Sequence, residues 1–186
     1  MKFLLISQRA KGTPSYSLKD TPGHGRFDVV VRCILAATRK VTSHSSVNES
    51  EIFAFLKGLE PYGWLYLRGP LDLGDESSAA SILKEYWSEY WTEGSLSEVV
   101  GKFQSDSIFV ELSEDGSPIS SFLDFCDPAD IPKMVLLLGS QCDITEEDRQ
   151  ILRAAIPVVH RVSLGSRSLL ASQAITLFRL KLHQWG

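Results

Sequence analysis

The sequence has little cysteine, no long apolar run and no repeated unit. Cys33, Cys126 and Cys142 are odd in number, widely spaced and free of any C-x-x-C pair, so neither a disulfide framework nor a zinc site is supported. They read as reduced thiols in or near a core, and no metal is expected. The apolar opening MKFLLIS is too short to cross a membrane and carries no small-residue cleavage site. Neither a membrane partner nor export is therefore expected, which leaves a cytoplasmic location. No Ser or Cys stands at a nucleophile elbow beside His24, His44, His160 or His183, so the histidines read as structural or surface residues.

What is present is enough apolar material for one substantial core: 186 residues, 44% of them hydrophobic. The net charge of −4 disfavours a nucleic-acid partner at first sight, but the charge is unevenly spread. Residues 1–48 carry eight Lys/Arg against Asp20 and Asp28, giving +6, and residues 149–186 carry six Lys/Arg and no acid, again +6. The stretch between them is −16. If folding joins the two ends, they form one positive surface able to take a polyanion; if not, this is ordinary surface charge.

Strand and helix signals alternate along the chain. KFLLISQ (2–8), EIFAFLK (51–57), GWLYLRG (63–69), SIFVEL (107–112), KMVLLLG (133–139) and IPVVHRVSL (156–164) read as strands, several of them continuous apolar runs of the kind buried on both faces. Helices are expected over 26–40, 78–92, 95–104, 145–155 with Thr145 as N-cap, and 168–182 with Ser166 or Ser168 as cap. SEDGSP reads as a turn, followed by a short amphipathic piece at 119–125. The expectation is a single α/β domain over residues 1–186, a mostly parallel sheet with helices on both faces.

Two groups of residues carry possible chemistry. PGHGRFD (22–28) contains a G-x-G but lacks the third glycine and a preceding strand, so it is a poor dinucleotide fingerprint. Gly25, Asp28, Arg32 and Arg39 nevertheless share one helical face, with Arg26 in the first turn. That face is either an Asp28–Arg32 pair contributing a few tenths of a kcal/mol, or a helix N-terminus with arginines that bind phosphate beside a carboxylate. Trp87 and Trp91, four apart, are explained more simply by packing than by base stacking. The second group is three loops at the carboxyl ends of strands, where a parallel sheet builds its ligand crevice: the end of SIFVEL, the Gly139 corner LLLGSQCD, and the Gly165 turn.

Taken together, "GRFDVVVRC", "LLLGSQCDITEEDRQIL" and "RVSLGSRSLLASQAITLF" resemble the tRNA pseudouridine N1-methyltransferases of the SPOUT superfamily, the TrmY family. The resemblance spans nearly the whole chain and is weakest between residues 40 and 105. It implies a SPOUT-type α/β fold with a C-terminal deep trefoil knot, the knot and cofactor part occupying about 105–186, and a homodimer. It also implies a methyltransferase using S-adenosyl-L-methionine (SAM) on N1 of a pseudouridine in the T-arm of tRNA. On the family's pattern the cofactor contacts fall on Leu112, Gly139, Leu164, Gly165, Ser166, Arg167, Ser168 and Leu169, with Ala174 standing where the family has a cysteine. Ser140 and Gln141 replace an Asp-His pair of archaeal members. Asp28 is the candidate catalytic carboxylate, a general base or a group that orients the ring, and Arg26 and Arg32 are candidates to grip phosphates or the base. A SPOUT methyltransferase for another RNA or a nucleoside-like substrate, or a silent RNA- or SAM-binding homologue, are the alternatives.

Overall fold

A computed structural model describes residues 1–41 and 49–185 of the chain. His44 lies outside the described residues. One seven-stranded sheet runs in the order β4-β3-β2-β1-β6-β5-β7. Its strands are β1 (Lys2–Ser7), β2 (Glu51–Leu56), β3 (Gly63–Arg68), β4 (Trp91–Glu93), β5 (Ile108–Pro118), β6 (Met134–Gly139) and β7 (Val159–Ser163). β2, β1, β6, β5 and β7 pair in parallel, while β3 and β4 add an antiparallel edge.

The alternation within the apolar strands builds two cores. Phe3 and Leu5 of β1, with Leu136 and Leu138 of β6, face a layer made by α1 (Phe27–Thr38), α2 (Glu76–Glu85) and α7 (Ala171–Trp185). Leu4 and Ile6, with Val135 and Leu137, face α4 (Leu96–Val100) and α6 (Glu146–Ala155) on the other side. Each strand is thus apolar at consecutive positions because helices cover both faces, as expected.

Three local expectations change. The helix expected over 78–92 breaks: α2 ends at Glu85, the single turn α3 (Trp87–Tyr90) follows, and Trp91 opens β4 against Leu65 of β3. An aromatic residue beside an unpaired sheet edge gains more as a strand, and Trp91 still stacks on Trp87 at 5.4 Å between ring centroids. The turn expected at SEDGSP lies inside β5 as a bulge, since Leu112 and Ser117 both pair with Val162 and the residues between them loop out. Gly116 is required there: a Cβ would lie 2.6 Å from the Val162 main chain. Neither Ser166 nor Ser168 caps α7. The helix starts at Ala171, and the Gln173 side chain reaches back to accept from the Leu170 N–H at 3.0 Å. Thr145 caps α6 as expected, accepting from the Asp148 N–H, and α5 (Ile119–Leu123) fills the amphipathic stretch. Of the cysteines, Cys33 is buried, Cys126 half-buried and Cys142 exposed, so the core expectation holds for the first and fails for the last.

The two basic ends do meet, because α1 packs on α7. Arg179 of α7 is 2% exposed and donates from Nη1 to the Ala36 carbonyl of α1 at 2.6 Å. Burial pulls its pKa down to about 10, the mark of a cation used as internal structure. Replacing Arg179 by Ala should remove both the bond and the packed stem, costing about 3 kcal/mol and lowering Tm by roughly 6–12 °C in a thermal melt. Arg179→Met, which keeps the stem, should lose clearly less.

Candidate functional site

A cavity of about 640 Å³ opens where β5, β6 and β7 end. Its walls come from the β5 bulge, the loop after Gly139, and the segment from Ser163 into the first turn of α7. The three loops singled out in the sequence therefore converge on one space. Leu112, Gly139, Leu164, Gly165, Arg167, Ser168, Leu169 and Ala174 all line it; Ser166 does not.

Two glycines shape these walls. A Cβ on Gly139 would sit 1.9 Å from the Cys142 carbonyl oxygen, so the loop can fold back on the strand end only over a bare Cα. Gly165 has φ +136°, a conformation closed to ordinary side chains, and its N–H donates to Ser163 Oγ at 3.2 Å. Charges of both signs face the space. Arg149 Nη2 lies 2.7 Å from Glu111 Oε1, tying α6 to β5, and Arg161 Nη2 donates to Ser113 Oγ at 2.7 Å. Glu114, Asp115, Asp143 and Arg167 complete the charged lining. Glu111, Arg149 and Arg161 were not singled out from the sequence; the two arginines had as their signal only that the segment from Arg149 onward is free of acid. Ser140 and Gln141 also line the cavity, with Gln141 Oε1 accepting from Ser7 Oγ at 3.4 Å and from Ser140 Oγ.

The PGHGRFD group lies at the start of α1 and shares no residue with the cavity. Asp28 is 5% exposed and held by two guanidiniums. Arg26 Nε and Nη2 bond its two carboxylate oxygens at 3.0 and 3.1 Å, and Arg32 Nη2 reaches Oδ2 at 2.5 Å. Burial alone would push the Asp28 carboxyl up, but the two arginines outweigh it and hold the group below the ordinary carboxylate value. Arg26 has φ 65°, the one positive φ outside glycine among the described residues, and Gly25 before it has φ 69°. A Cβ on Gly25 would lie 1.7 Å from the Arg9 carbonyl oxygen, so this turn is pressed against the segment leaving β1. Phe27 anchors it, fully buried against Tyr16 at 4.7 Å and Trp87 at 6.0 Å between ring centroids. No strand immediately precedes the glycines, in keeping with a poor dinucleotide fingerprint.

Of the described histidines, His24 is structural and His160 lies at the surface. His24 is buried and its Nε2 pairs with the Thr13 carbonyl oxygen at 3.1 Å, while the His160 ring packs on Phe122. The positive ends are weaker than their formal charge: Arg149 and Arg153 pair with Glu111 and Glu146, and Arg179 is internal.

Relatives align with the chain from end to end. A tRNA (pseudouridine(54)-N(1))-methyltransferase of Thermococcus kodakarensis is 28% identical over 96% of this chain and 96% of its own. One of Methanococcoides burtonii is 27% identical over 94% and 92%. Among solved structures, Archaeoglobus fulgidus Nep1 bound to S-adenosylhomocysteine shares the fold, with a TM-score of 0.63, 12% identity, and coverage of 99% of this chain and 97% of that one. The sequence profile of the family described as "Putative SAM-dependent RNA methyltransferase" matches residues 1–65 and 90–185, and the chain belongs to that family.

Proposed function

We propose that this protein transfers a methyl group from SAM to N1 of a pseudouridine in the T-arm of tRNA, position 54 in the names of its relatives. The observation that carries the reading is the convergence of three separate loops, each glycine- or serine-bearing, on one cavity in a chain that aligns end to end with enzymes of that activity.

The residues present fit the cofactor. A volume of about 640 Å³ lies within the range that holds a drug-sized ligand. Gly139 and Gly165 line it with main chain and Ala174 with a small side chain, and the charges of both signs on Arg161, Arg167, Glu114 and Asp115 in the same lining suit an amino-acid zwitterion. Bound there, SAM supplies an electrophilic methyl group on a sulfonium. The Gly139 loop and the segment 164–169 would hold its adenine and methionine parts.

Methyl transfer is mostly a matter of holding the nucleophile in line, and the Asp28 group suits that task. A carboxylate held below its ordinary value is a weak base, so ring orientation through N–H contacts is the better of the two roles for Asp28. It also presents Arg26, whose side chain is 47% exposed, and Arg32 to phosphates. The target base is stacked in folded tRNA and must be extruded, at roughly a few kcal/mol. Because Asp28 does not line its own cavity, the homodimer belongs to the same reading. A partner's α1 can then serve this cavity, and the exposed Leu169, Leu170 and Leu180 offer apolar surface for pairing. The knot over about 105–186, the single-domain organisation and a cytoplasmic location complete the proposal.

With a pseudouridine-containing tRNA and SAM, mass analysis should find one added methyl on the T-arm, and none when uridine occupies that position. Asp28→Asn should reduce methylation on the order of 10²-fold while SAM binding stays unchanged. Full activity in that variant would remove Asp28 from the site. Arg26→Ala and Arg32→Ala should each weaken tRNA binding and lower the slope of log K against log salt by about 1. A binding constant indifferent to salt would refute the phosphate-gripping role.

A further inference from the structure

Asp148 is a buried carboxylate that the proposed reaction does not use. It lies in the first turn of α6, is 0% exposed, and accepts three side-chain donors from three separate segments. Gln8 Nε2, just past the end of β1, bonds Oδ2 at 2.5 Å. Lys57 Nζ, just past the end of β2, bonds Oδ1 at 2.6 Å. Thr145 Oγ1, at the end of the cavity loop, bonds Oδ2 at 2.8 Å while accepting from the Asp148 N–H at 3.2 Å. Burial would raise this carboxyl, but the donors outweigh it and keep it below its ordinary value, so the group is ionised at neutral pH.

A fully buried charge is a poor way to gain stability, because desolvation consumes most of what pairing returns. Its geometric effect is more specific. The loop from Gly139 to Thr145 is held at its first end by the Ser140 N–H donating to the Ile6 carbonyl at 3.0 Å. At its last end the hold is Asp148, which fixes Thr145 and the start of α6 against the strand ends of β1 and β2. Between those two points the loop lines the cavity with Ser140, Gln141, Cys142, Asp143 and Ile144.

We infer that Asp148 is a positioning residue of the cofactor cavity: its carboxylate, clamped by Gln8, Lys57 and Thr145, sets the shape of the Gly139–Thr145 loop and through it the affinity for the cofactor. The inference rests on the reading of the cavity as a SAM site. It treats the ion pair as an alignment device whose loss shows in binding as well as in folding.

The test measures binding of S-adenosylhomocysteine by calorimetry, with thermal melts alongside, for the unaltered protein, Asp148→Asn, Gln8→Leu, and the double variant Asp148→Leu/Lys57→Met. Asp148→Asn should stay folded at the assay temperature and bind at least about tenfold more weakly. Gln8→Leu, which leaves the ion pair in place, should bind several-fold more weakly with little change in Tm, and it keeps the test open if Asp148→Asn does not fold. The double variant leaves no buried charge unpaired, so it should regain thermal stability without regaining affinity. Unchanged affinity in Asp148→Asn or Gln8→Leu, or recovery of stability and affinity together in the double variant, overturns the proposal. If the unaltered protein itself fails to bind, the SAM reading falls and this inference falls with it.

Discussion

The parallel pairing of β1 with β6 at the centre of the sheet governs everything around it. After β1 the chain crosses to β2 on one side, and after β6 it crosses over β5 to β7 on the other, so the strand ends at this boundary are not covered by a direct connection. Loops that are far apart in sequence must then meet there. Ser7 Oγ reaches Gln141 Oε1 across 134 positions, and Gln8 reaches Asp148 across 140. The crossovers that parallel pairing demands place α1 and α6 on opposite faces. Both helices begin at this same edge, since each follows a strand that ends there.

The strands and the positions of the main helices were legible because a two-sided parallel sheet writes itself as unbroken apolar runs, and KFLLIS and MVLLLG have no other economical use. The failures have specific causes. At Trp91 the open edge of β3 overrode helical spacing, a tertiary effect that no local pattern carries. Within β5, the sequence SEDGSP has the chemistry of a turn and does loop out, but pairing resumes at Ser117 because Val162 of a distant strand is there to receive it. The start of α7 differs because small polar residues at 166 and 168 look like caps, whereas they belong to the irregular segment before the helix, in which Ser168 lines the cavity and Gly165 takes an unusual φ.

The candidate site divides the same way. The residues that the family's pattern assigns, from Leu112 to Ala174, converge with the exception of Ser166, because the strand ends that carry them open on one side of the sheet. The residues missed were polar partners: Glu111 with Arg149, Arg161 with Ser113, and Gln8 and Lys57 with Asp148. Pairing across 38 to 140 positions leaves no trace in local spacing, so these groups look like surface charge until the fold joins them.

Charge shows most clearly how placement outranks composition. The two basic ends come together, yet Arg149, Arg153 and Arg179 are spent on Glu111, Glu146 and an internal carbonyl, so the joined surface is less positive than a count suggests. What remains near the start of α1 is a smaller and more ordered arrangement. Asp28 removes net charge from Arg26 and Arg32, which weakens long-range attraction for a polyanion, but it fixes two planar forks that would otherwise sample many rotamers. A strained φ at Arg26 and a glycine that tolerates no Cβ hold the backbone for the same purpose. Ion pairs whose arginines are this open to solvent contribute little to stability, so a turn that accepts strain in order to build one is better explained by what the guanidiniums must meet than by the fold. Asp148, on the other side of the boundary, is buried rather than open, but there too a carboxylate orders its cationic and polar neighbours beside the carboxyl ends of the strands.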